Sequence, residues 1–124
     1  MFRLDGKVAL VSGAGRGMGF GVAQMLAQQG ATVIVNDFFA DRAEAGAEAL
    51  RSEGFKAFGA VADMTDREAV FAMVKSLLAE HGSIDVFVHN AGIPAQGWGY
   101  TPFLESPPSE WDAWLQLNLH GLMH

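Results

Sequence analysis

Four short apolar runs punctuate the chain, each followed by a segment of helical periodicity, and few folds accommodate that alternation. The runs are Lys7 to Val11, Thr32 to Val35, Lys56 to Val61 and Ile84 to Val88. The second is β-branched throughout and ends at Asn36-Asp37, a strand signature. The fourth shows little polar alternation, which predicts a strand covered on both faces. Between the runs, Met18, Val22, Met25 and Leu26 recur at helical spacing up to Gly30, a C-cap position. Ala40 to Ser52 sets Ala43, Ala47 and Leu50 on one face and Glu44, Glu48 and Arg51 on another. A third helix, capped by Thr65 or Asp66 and closed at Gly82-Ser83, carries Val70, Met73, Val74, Leu77 and Leu78. After a Pro- and Gly-rich loop, Ser109 caps a final helix bearing Trp111, Leu115, Leu119 and Leu122. Strands alternating with helices call for parallel β-α-β units with right-handed crossovers.

The first strand runs into Ser12-Gly13-Ala14-Gly15-Arg16-Gly17-Met18-Gly19. Glycines at Gly13, Gly17 and Gly19 let the backbone turn tightly and approach a ligand closely. The helix opening there offers unpaired N–H groups and partial positive charge to a pyrophosphate. Asp37 ends the second strand 20 residues after Gly17, where a ribose-binding carboxylate belongs.

Composition removes several other chemistries. The net charge is −6 with no basic stripe, against a nucleic-acid surface. There are no cysteines, hence no disulfide, thiolate nucleophile or Cys-type zinc site. The first residues hold no secretory h-region and no apolar run approaches a bilayer span, so a cytoplasmic, non-membrane protein is expected. His120 and His124 are four apart but lack an H-E-x-x-H context, and no metal site is expected. His81 reads as a helix C-terminal residue favoured by the dipole, and His89 as a ring that orders its loop.

The motifs, taken in order, resemble the short-chain dehydrogenase/reductase family. Gly13-x-x-x-Gly17-x-Gly19 is similar to its TGxxxGxG loop, with Ser12 where Thr is usual. Asp63 resembles the acidic residue that faces the adenine. His89-Asn90-Ala91-Gly92 resembles the NNAG motif, with His89 in place of the first Asn. Trp111 and Asn118-Leu119-x-Gly121 resemble the family's tryptophan and the helix with its structural and catalytic asparagine.

The resemblance implies a Rossmann-type, doubly wound α/β sheet of which residues 1–124 supply the part ordered 3-2-1-4, ending within the helix after the fourth strand. It implies a cofactor-binding set of Gly13, Arg16, Gly17, Met18, Gly19, Asp37, Phe38, Asp63, Met64, Asn90, Ala91 and Gly92, with Asn118 as the catalytic-site residue. A buried helical Asn can equally serve backbone groups at a bend, and both roles can coexist. The carboxylate of Asp37 favours NAD over NADP, whose 2′-phosphate it repels; Arg16 argues the other way. The implied reaction moves hydride between nicotinamide and an alcohol or ketone, in a homo-oligomer.

The family's serine and Tyr-x-x-x-Lys pair have no counterpart here: the one tyrosine is Tyr100, and Leu104 stands four residues later. The chain alone is therefore expected to be inactive. A loop wall of Trp98, Tyr100 and Phe103 near the substrate is expected. Two alternatives stay open, a binding module without catalysis and a methyltransferase. With strand four at an edge and Trp114 and Leu117 uncovered, the chain is expected to be marginally stable or to associate.

Overall fold

A computed structural model describes residues 2–94, 101–102 and 104–124. Trp98, Tyr100 and Phe103 lie outside the described residues, and so does the loop wall expected of them. The described strands are β1 (Val8–Val11), β2 (Thr32–Asp37), β3 (Ala57–Val61) and β4 (Val86–Val88). They form one parallel sheet in the order β3-β2-β1-β4. The intervening helices are α1 (Gly17–Gln28), α2 (Ala40–Ser52) and α3 (Arg67–His81). After β4 come α4 (Pro108–Leu115), a π-helical segment Gln116–His120 and α5 (Gly121–Met123).

Alternation along the strands divides the core in two. Ala9, Val11, Val33 and Val35 meet Ala23 and Ala27 of α1 and Ala47 and Leu50 of α2 on one face. Val8, Leu10 and Ile34 meet Val70, Met73 and Leu77 of α3, with Leu117, on the other. The sheet is therefore doubly wound, as the alternation of runs and helices predicts.

Three faces differ from expectation. In α1 the inward residues are Gly19, Ala23 and Ala27, whereas Met18 is 81% and Met25 68% exposed. A row of small residues lets the helix lie close to the sheet, which longer side chains would hold away. In α3 Leu78 is exposed while Val70, Met73 and Leu77 are buried, and Asp66 rather than Thr65 caps the helix through Oδ1 and the Ala69 N–H (3.1 Å). In the last helix Leu117 and Gly121 face inward, and Trp111, Leu115, Leu119 and Leu122 stay exposed. Leu117, only 7% exposed, is not uncovered as expected, because it packs under the α3 side of the sheet. Pro107, not Ser109, is the N-cap, since Pro108 at the first helical position needs no N–H partner there. β4 is an edge: Phe87 is 43% exposed, so the expected cover on both faces is not found among the described residues.

Asp85 pins the start of the β1–β4 pair. Its Oδ2 accepts from the Val8 N–H (2.8 Å) and the Ser83 hydroxyl (3.0 Å), while Lys7 Nζ reaches Oδ1 (3.3 Å). The Val8 N–H above all, then Ser83, hold this carboxyl below the usual carboxylate range against the opposing effect of desolvation, with a lesser contribution from Lys7. A carboxyl depressed in the folded state stabilises it above the unfolded value, and that contribution is lost as pH falls through the folded value. Asp85→Asn should accordingly lower the urea midpoint at neutral pH and shrink the gap between variant and parent in acid. A gap that stays constant with pH would contradict this.

Candidate functional site

β1 and β4 are neighbours, but the chain leaves β1 for α1 on one face, and Leu117, after β4, packs on the other. A crevice opens beyond their C-terminal ends at such a switch point. Here it is a cavity of about 860 Å³. Gly13, Arg16, Gly17, Met18, Gly19, Asp37, Phe38, Asp63, Met64, Asn90, Ala91 and Gly92 all line it. Asn118 is not among the lining residues; its side chain is tied to the rim instead.

The floor is built by close approach. Gly13 has φ +62°, and a Cβ there would stand 2.9 Å from Ala91 Cα. A Cβ on Gly19 would stand 2.5 Å from the Gly13 carbonyl oxygen and 3.0 Å from Ala14 Cα, besides meeting Asn90 Nδ2. That same Asn90 amide donates to the Gly13 carbonyl (3.0 Å), tying the turn after β4 to the glycine loop. The first turn of α1 contains no acidic residue and, among the described residues, no side chain caps it. Its leading N–H groups and positive dipole end therefore remain available to an anion.

Asp37 is 7% exposed, and both its oxygens are oriented by backbone donors. Gly15 N–H donates to Oδ2 (3.2 Å) and Phe39 N–H to Oδ1 (3.1 Å). Gly15, which the motif spacing does not single out, is essential to this: a Cβ there would stand 2.7 Å from Asp37 Oδ2 and from the Arg42 carbonyl oxygen. Arg42 was equally unmarked by spacing; its guanidinium lies 4.2 Å from the Phe39 ring centroid, and it lines the cavity together with Arg16. Its only sequence signal is position, in the first turn of the helix that follows Asp37.

On the opposite lip, Asp63 Oδ1 accepts from the Thr65 N–H (2.8 Å) and hydroxyl (2.7 Å), an Asx-type turn that fixes the carboxylate. Asn36 Nδ2 donates to the Ala60 (3.2 Å) and Ala62 (3.4 Å) carbonyls, holding the chain that leads to Asp63. Asn118 Nδ2 donates to the Gly92 (2.9 Å) and Trp114 (3.0 Å) carbonyls from within the π-helical segment. It serves backbone groups at an irregular turn, from an exposed position rather than the buried one expected of it.

His124 Nδ1 meets the Met64 carbonyl (3.2 Å), and among the described residues no cluster of three or more His, Asp or Glu could hold an ion. His81 closes α3 as expected and packs on Phe58, ring centroids 4.8 Å apart. No described helix is long and apolar enough to cross a membrane.

The comparisons with known proteins agree with this arrangement. Residues 7–124 match the model of the family described as short chain dehydrogenase. The chain is 38% identical over 118 residues to a 5-keto-D-gluconate 5-reductase of Escherichia coli, covering 95% of this chain and 45% of the relative. Among solved structures it is similar to a gluconate 5-dehydrogenase of Burkholderia cenocepacia in complex with NADP and tartrate (38% identity, TM-score 0.87), covering 98% of this chain and 46% of the other. A metagenomic short-chain oxidoreductase in complex with NADP is also similar (34% identity, TM-score 0.84), with 95% of this chain and 52% of that one covered. The chain thus spans about half the length of the relatives it matches. With a match that runs over residues 7–124, the chain belongs to the short chain dehydrogenase family.

Proposed function

We propose that this chain is the cofactor-binding part of an oxidoreductase that moves hydride between a nicotinamide dinucleotide and an alcohol or ketone carbon. One observation carries the reading: the cavity floor is a cradle in which Cβ atoms at Gly13 and Gly19 would strike backbone, beside a helix N-terminus that no described side chain caps. Such a surface takes a pyrophosphate, and the acid-lined ends take the adenosine. The bound dinucleotide would supply the hydride chemistry. The chain's own residues grip and orient it: the α1 N–H groups at the diphosphate, Asp37 at the ribose and Asp63 at the adenine. Gly92 and Asn118 would hold the turn nearest the reacting end.

Asp37 favours NAD, because a 2′-phosphate beside it would place like charges together. NADP has at least equal support. Arg16 and Arg42 line the same cavity and can neutralise that phosphate, and two similar structures were solved with NADP. A binding module without turnover is distinguished by a dehydrogenase assay run alongside the binding assay.

Titration of NAD and NADP, followed by tryptophan fluorescence with Trp114 at the cavity wall, tests the proposal. Asp37→Ala should weaken NAD roughly 10- to 100-fold, the worth of a hydrogen bond to a charged group. It should weaken NADP less. Arg16→Ala should do the reverse. A folded chain that binds neither dinucleotide would sink the proposal.

A further inference from the structure

His89 is joined at both ring nitrogens to groups from different elements. Nδ1 lies 3.3 Å from Ser12 Oγ and Nε2 3.1 Å from the Leu117 carbonyl oxygen. Counting donors fixes the direction. Ser12 Oγ already accepts from the Asn90 N–H (3.1 Å) and the Ala91 N–H (3.1 Å), which occupies both of its lone pairs. Its own proton must therefore go to Nδ1, which must be an acceptor. The neutral ring then carries its hydrogen on Nε2, the nitrogen facing the Leu117 carbonyl, and Ser12 Oγ and both ring nitrogens are satisfied.

The geometry points to His89, locked by Ser12 in the neutral Nε2–H tautomer, as a positioning residue that sets Asn118 against the cofactor turn. Leu117 precedes Asn118 within the π-helical segment, and Asn118 Nδ2 donates to the Gly92 carbonyl. Two bridges thus clamp the helix to the Asn90–Gly92 turn, one of them needing a side chain that offers both a donor and an acceptor. This inference deepens the proposed function and rests on it for its binding readout; its tautomer readout does not depend on any cofactor.

The test uses the full chain in two arms. Long-range proton–nitrogen NMR should find His89 in the Nε2–H tautomer at neutral pH, and Ser12→Ala should remove that preference. In the binding arm, His89→Phe should weaken whichever of NAD and NADP binds by roughly tenfold, the loss of about two neutral hydrogen bonds. It should also shift the Asn118 side-chain amide signals. His89→Asn, which keeps a donor and an acceptor, should restore affinity to within about threefold, on the same arithmetic. A charged or Nδ1–H ring in the parent chain, or His89→Phe binding and Asn118 signals equal to the parent's, would overturn the inference. If His89→Phe fails to fold, the parent's tautomer and the Asn variant decide the matter. If the parent binds neither dinucleotide, the proposed function fails, and the NMR arm still judges the His89 relay.

Discussion

Gly19→Ala is expected to abolish measurable dinucleotide binding, a loss of at least about 100-fold, judged from the barrier that a single methyl raises at this site. The new Cβ would stand 2.5 Å from the Gly13 carbonyl oxygen and 3.0 Å from Ala14 Cα, and neither backbone atom can swing aside as a side chain could. The N-terminal turn of α1 must then move off the glycine loop, and the Asn90 amide loses its bond to the Gly13 carbonyl as it is pushed away. Overpacking of this kind costs about 1–3 kcal/mol of stability. The binding loss exceeds what that destabilisation accounts for, because the displaced N–H groups are the ones that face the anion. Isothermal titration on material shown by circular dichroism to be folded separates the two effects. Parent-like affinity in the alanine variant would refute the claim that this contact sets the anion site. Gly21→Ala is the control: a Cβ there meets nothing within 4 Å, so alanine should leave affinity unchanged.

Ile34→Ala should cost about 3–4 kcal/mol, within the usual range for emptying a large aliphatic core position. Ile34 is fully buried in β2, the strand between β1 and β3, and faces Val70, Met73 and Leu77 of α3. Neighbours attached to paired strands cannot collapse readily into the space. Domains of this kind have only about 5–15 kcal/mol to lose, so the variant should show a much lower urea midpoint with little change in slope. A shift equivalent to less than about 1 kcal/mol, the typical cost of a surface change or less, would mean that the α3 side of the sheet is loosely packed.

The order of strands and helices was legible because each strand is a compact apolar run and each helix has its own stop signal. α2 is an instance in full: its bounds, its inward Ala43, Ala47 and Leu50 and its outward Glu44 and Glu48 are all as the spacing predicts. In α1 hydrophobicity misled in part, since Met18 and Met25 point out while Val22 and Leu26 are only partly buried. What decides that face is the distance to the sheet, which favours the smallest side chains and leaves little trace in a periodicity of apolar residues. The last helix was misread for a related reason. The stripe from Trp111 to Leu122 faces out, and the inward positions are Leu117, within the π-helical segment, and Gly121 just after it.

At the site, Gly13, Gly17, Gly19 and Asp37 were legible from spacing and Asp63 and Gly92 from the family resemblance, and all of them come to one cavity. Gly15 and Arg42 were not, because their importance lies in contacts with Asp37 and Phe39 across a loop. The directions of the Ser12 and His89 hydrogen bonds were likewise beyond spacing. They follow only once the number of donors around one hydroxyl can be counted.

The row Gly19, Ala23 and Ala27 has a consequence for how such a protein can diverge. Where a helix is buried at one glycine against a loop and at two alanines against a sheet, its height has few adjustable parts. Shrinking Ala23 or Ala27 gains nothing, and enlarging any of the three lifts the helix. The depth of the anion seat is thereby quantised, in effect a fixed datum for the rest of the pocket. Selection for a different ligand can act on what surrounds that datum, at Arg16, Phe38, Phe39 and Arg42, whose side chains stand at the rim, with Phe39 touching both Phe38 and Arg42.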